Sequence, residues 1–134
     1  MSVRAIVVGD LLALLTFALL GLASHEHEVS APALARTFVP FAVSWLVVGG
    51  LTGMLKPNVA GHPATGARFL VAYLVAGVVA LVARSIIFDR TLFNAFFVIA
   101  LVGNGILLFG WRALAGIVLS RRSIATGGRE ATRP

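Results

Sequence analysis

Apolar residues along this chain fall into four long blocks separated by short polar breaks. The first block is Val3 to Ala23, interrupted only by Arg4 and Asp10. The second runs from Ala33 to Leu55 with Pro40 early in it, and Lys56-Pro57 ends it. The third is Ala67 to Phe88 and the fourth Leu92 to Leu119. Each reaches the ~20 residues a helix needs to cross the hydrocarbon core. The pattern predicts an all-α polytopic membrane protein, with four transmembrane helices in an up-down bundle over residues 1–120. The spans are placed at about 3–23, 33–55, 67–88 and 92–119, and residues 121–134 read as a basic, disordered tail.

The breaks refine this picture. Asp89-Arg90-Thr91 leaves so little chain that helices three and four must be antiparallel neighbours. Proline lacks the backbone N–H and kinks a helix interior, so helix two is expected to start near Val39 or to bend at Pro40. The fourth block, 28 residues long, exceeds the hydrocarbon thickness and is expected to tilt or to extend into the headgroups. A cleaved signal peptide is the rival reading of the first block, resting on Arg4 and on Gly21-Leu22-Ala23. The length of the block and the aspartate inside it favour a retained helix.

Composition agrees: 59% of residues are hydrophobic and 12% charged, against roughly 25% charged in soluble domains. The net charge of +6 could suggest nucleic acid. However, Arg121, Arg122, Arg129 and Arg133 cluster just beyond the last apolar block. Basic residues so placed set topology and meet anionic headgroups, so a lipid bilayer is the expected partner and nucleic acid is not. With no cysteine, disulfides and thiolate chemistry are excluded.

Orientation follows from the same charges. Four spans put both termini on one side, together with Arg4, Lys56, Arg68 and the four tail arginines. The other side holds Arg36, Arg84 and Arg90 with Glu26, Glu28 and Asp89. The positive-inside rule then places both termini in the cytoplasm of a cell membrane.

Candidate chemistry lies where polar residues fall within the apolar blocks. Asp10 and Arg112 each sit roughly 9–10 Å along their helices from the cytoplasmic end, a matched depth that predicts an intramembrane ion pair. An unpaired charge at the centre of a span costs about 2.5–3.5 kcal/mol on insertion scales. Trp111 is expected to pack beside Arg112 with a cation–π contribution. Asn104, between Gly103 and Gly105, stands at mid-membrane with no charged residue at its level. Asn104, Asp10 and Arg112 are the candidates for lining a ligand path.

An outer polar cluster is expected from Arg84, one turn before the end of helix three, with His25, Glu26, His27 and Glu28. Histidines two apart do not share a helix face and no third lies on that side, so no metal and no other cofactor is expected. For helix packing, Gly49 and Gly53 form a GxxxG pair, and Ala72, Ala76 and Ala80 make a small-residue face leading to Arg84.

Together, several of these residues resemble one family. Asp10-Leu11-Leu12, Phe17-Ala18-Leu19-Leu20-Gly21 and Ser24-His25 are followed by a proline-led second span with Trp45. Arg84 ends the third span, and Gly110-Trp111-Arg112 lies in the fourth. This combination is similar to the domain-of-unknown-function 3054 family of small prokaryotic membrane proteins, over roughly residues 5–115. The resemblance implies a four-helix membrane protein and supplies no activity.

No HExxH, GxSxG or paired-carboxylate arrangement is present. The expectation is a non-enzymatic accessory or assembly subunit, working as a homo-oligomer or within a larger membrane complex. The alternative is a small homo-oligomeric transporter or channel for a small solute or ion, because an intramembrane ionisable residue is a functional hypothesis by default.

Overall fold

The computed structural model describes residues 1–24, 30–57, 66–88 and 95–130, with backbone only for 95, 96 and 122–130. Four helices make up nearly all of it: α1 (Val3–Ser24), α2 (Ala31–Leu51), α3 (Gly66–Phe88) and α4 (Ala95–Glu130). Among the described residues there is no strand. All four helices are long and apolar enough to cross a membrane. They form an up-down bundle in which α2 and α3 pack most closely. Helix α1 lies against both α2 and α4, and α3 touches α4 least. This is a multi-pass membrane protein.

The distribution of side chains suits lipid rather than water. Large aliphatic residues point outward on every helix, among them Val8, Leu12, Val43, Val47, Val71 and Ile106. Small and aromatic residues fill the inside, with Ala42, Ala76, Ala80, Trp45, Phe69 and Tyr73 in one core. Lipid solvates the outer face, while backbone polar groups must be satisfied within each helix. Hydroxyls follow the same rule: Thr16 Oγ1 donates to the Leu12 carbonyl and Ser24 Oγ to that of Leu20.

Helix α2 departs from the expected boundaries at both ends. It starts at Ala31, behind an N-cap at Ser30 whose hydroxyl accepts from the Ala33 amide, and runs through Pro40 without a break. Pro32 at the first turn needs no N–H partner, so the early start is favourable. The helix stops at Leu51, four residues before the apolar block does. Helix α4 is longer than its apolar block, continuing to Glu130 across the boundary at 121 where a disordered tail was expected. Ala72, Ala76 and Ala80 are all buried, on the helix that packs most closely with α2.

Candidate functional site

The end of the bundle where α1 and α3 begin is built around the Asp10 carboxylate, which is 0% exposed. Four N–H groups converge on it. Arg112 donates from Nε to Oδ1 at 2.9 Å and from Nη2 to Oδ2, forming a two-pronged salt bridge. Trp111 Nε1 donates to Oδ1 at 2.9 Å and Trp45 Nε1 to Oδ2 at 2.9 Å. Each oxygen therefore accepts two hydrogen bonds, and a carboxylate has about four lone-pair sites.

Arg112 is equally enclosed. Its Nη1 donates to the Met54 carbonyl at 2.7 Å. The guanidinium carbon lies 4.7 Å from the Phe69 ring centroid and 5.5 Å from that of Trp45. The cation–π faces thus come from α2 and α3, and Trp111, expected in that role, hydrogen-bonds Asp10 instead. The node joins α1, α2, α3 and α4 at one level. Its two indole donors were not anticipated from sequence as partners of the aspartate. The available signal was that a buried tryptophan N–H needs an acceptor and that Trp45 lies at a depth matching Asp10.

The Met54 carbonyl is brought into place by the end of α2. Gly53 adopts φ 74°, left-handed backbone that glycine accepts without penalty. Its amide donates to the Gly50 carbonyl and the Met54 amide to that of Gly49, the paired bonds of a Schellman cap. The chain doubles back, burying Met54. Gly49 and Gly53 therefore do not form the helix-packing ridge expected of a GxxxG pair. Gly53 is outside the helix, and a Cβ on Gly49 would meet Leu55 and Trp45 of its own segment. The apolar residues Met54 and Leu55 hid this stop, because they extend the hydrophobic run past the glycine.

A second close approach lies between α1 and α4. A Cβ built on Gly9 would fall 2.0 Å from Trp111 Cζ2. The missing side chain lets the indole come up against α1 and reach Asp10, the next residue.

Asn104 occupies the bundle interior, on a buried stripe of α4 that repeats every four residues: Ala100, Asn104, Leu108, Arg112. It is 1% exposed, and neither Nδ2 nor Oδ1 has a hydrogen-bond partner among the described residues. An amide left so in an apolar setting costs roughly 2–7 kcal/mol depending on the reference state. Its two glycine neighbours face different helices: Gly103 lies against Phe17 of α1 and Gly105 against Tyr73 of α3. The structure joins Asp10 to Arg112 but leaves Asn104 two turns away, so these three do not line one continuous surface.

The loosely packed seam between α3 and α4 carries a groove of about 380 Å³, lined by Leu70, Tyr73, Leu101, Val102, Gly105 and Phe109 among others. The Tyr73 hydroxyl donates to the Leu101 carbonyl and so ties α3 to α4. Phe69 and Phe109 meet edge to face, with centroids 4.5 Å apart. Of the outer cluster, Arg84 is half-buried near the end of α3. His25, Glu26, His27 and Glu28 lie outside the described residues.

A family model described as a protein of unknown function, DUF3054, matches residues 7–115. The chain belongs to that family. No curated protein and no solved structure matches it.

Proposed function

We propose, from this family membership and the geometry of the node, that the protein is a non-enzymatic accessory or assembly subunit of the cell membrane, with both termini in the cytoplasm. The observation that carries this reading is the saturation of Asp10. A proton carrier or a substrate-binding carboxylate needs a lone pair to offer, and here Arg112, Trp111 and Trp45 take all four. The node acts as a clamp that sets the relative height and rotation of the helices, presenting a defined outer surface to a second copy or to other membrane proteins. A buried charge pair of this kind is best attested as a device for register.

The alternative is a small-solute transporter or channel, and the unpaired amide of Asn104 is the observation in its favour. Reconstituted vesicles separate the two. The accessory reading expects no protein-dependent solute or proton flux. It also expects Asp10→Asn to lower thermal stability in detergent. Flux that Asp10→Asn abolishes without loss of the folded protein would overturn it. A reporter fused after Pro134 that proved to be outside the cell would overturn the orientation.

A further inference from the structure

Tyr73 of α3 reaches into the backbone ladder of α4. Its hydroxyl donates to the Leu101 carbonyl and also faces the Gly105 amide. In a continuous α-helix those two backbone groups are each other's partners, residue i bonding to i−4, and α4 is helical throughout this stretch. A side chain set into that ladder is one of the few causes of a helix kink. Gly105 admits the ring: a Cβ there would fall 3.2 Å from Tyr73 Cε1. Gly103 and Gly105 also weaken the helix interior on either side of Asn104.

The two halves of α4 are held unequally. The later half is fixed by Arg112, which bonds Asp10 of α1 and the Met54 carbonyl and lies over Phe69 of α3. The earlier half faces α3 across the most loosely packed seam of the bundle, where the groove beside Tyr73 leaves room for movement. Between them stands Asn104, 1% exposed, with neither amide atom bonded among the described residues. An asparagine in a helix can bond the carbonyl three or four residues back, and three back from Asn104 is Leu101. A carbonyl has two lone pairs; the helix and Tyr73 take both.

We propose that α4 is a two-state helix hinged at Gly103–Gly105. In the closed state Tyr73 holds the Leu101 carbonyl. In the open state the hydroxyl withdraws, the segment from Ala95 to Val102 tilts away from α3, and Asn104 Nδ2 donates to the released carbonyl. Opening exchanges one unpaired donor, the amide, for another, the hydroxyl, which is the near-balance a two-state element needs. It changes the surface that this half of α4 turns to the bilayer and leaves the node intact. The device goes beyond the accessory reading and does not depend on it, since its readout is the shape of one helix and neither flux nor assembly.

The chain contains no cysteine, so pairs of spin labels can be introduced on the full chain in nanodiscs. One pair, at the exposed residues Ile86 and Val98, spans α3 and the earlier half of α4; the other, at Val71 and Leu114, spans α3 and the half held by the node. Tyr73→Phe is expected to raise the open-to-closed ratio read from the first pair about tenfold, the effect of one hydrogen bond, and to leave the second pair unchanged. Adding Asn104→Leu, which removes the competing donor at similar volume, should bring the first pair back towards the parent distribution. Without labels, Asn104→Leu alone should slow hydrogen exchange at amides 102–106 and not at those near Asp10. An unchanged first pair in Tyr73→Phe, equal displacement of both pairs, or an open population undiminished by Asn104→Leu would overturn the proposal. Where a labelled variant fails to fold, exchange that Asn104→Leu leaves unslowed, or slows equally in all four helices, overturns it as well.

Discussion

Gly9 of α1 and Trp111 of α4 touch so closely that a methyl group at position 9 would penetrate the indole ring, 2.0 Å from Cζ2. The ring cannot easily withdraw, because its Nε1 holds Asp10 Oδ1. Gly9→Ala is therefore expected to destabilise the protein by about 1–3 kcal/mol, the usual range for overpacking a filled site. At Gly21 and Gly110 an added methyl group would meet nothing within 4 Å, so alanine there should be neutral or stabilise by about 0.5–1 kcal/mol through helix propensity. Melting in detergent, followed by tryptophan fluorescence, separates the three variants.

The node is directional, which makes the charge-swapped pair informative. A bare ion pair would tolerate Asp10→Arg with Arg112→Asp. Here Trp45 and Trp111 present N–H donors to position 10, and Met54 presents a carbonyl to position 112. The swapped double variant is expected to remain unstable, whereas Asp10→Asn with Arg112→Gln should lose less than the sum of the two single changes. Breaking one side alone leaves a buried charge uncompensated, an effect of about 3–5 kcal/mol. A double-mutant cycle on melting or expression measures the coupling. Full recovery in the swapped variant would show that the indoles do not hold the carboxylate.

Gly53→Ala forces a side chain into left-handed backbone, at about 1–2 kcal/mol, and shifts the Met54 carbonyl away from Arg112. Its effect should be less than additive with Arg112→Gln, since both remove the same bond. Strict additivity in the combined variant would separate the turn from the node.

Tyr73→Phe deletes the hydroxyl that ties α3 to the Leu101 carbonyl. A loss of about 0.5–1.5 kcal/mol is expected. Hydrogen exchange should quicken selectively at the amides around Leu101 to Gly105 while the amides near Asp10 are unchanged. Uniform acceleration would mean that the seam does not open on its own.

Much of the fold was legible because bilayer thickness fixes helix length, and four apolar blocks of that length leave few arrangements. The meeting of Asp10 with Arg112 was readable for the same reason: depth can be counted from each end. What surrounds the pair depends on rotation about helix axes and on a cap, and hydropathy carries neither. Trp45 was visible as a residue but not as a donor to α1. Gly53 was read as a packing glycine because Met54 and Leu55 prolong the apolar run past it. The buried alanines of α3 followed their four-residue spacing. Of the two readings of Pro40, the late start near Val39 is corrected, because the helix begins at Ala31 behind the Ser30 cap and carries the proline in its interior.

The node also sets a schedule for the nascent chain. Asp10 and Arg112 are 102 positions apart, so at ~5–20 residues per second the aspartate emerges about 5–20 s before its cation. Trp45, 35 positions on, is the first donor to arrive and can hold one carboxylate oxygen while α1 and α2 wait as a hairpin. Completion of the bundle is thus deferred to the last helix. A chain truncated before Arg112 would enter the bilayer with a polar group that quality control can recognise.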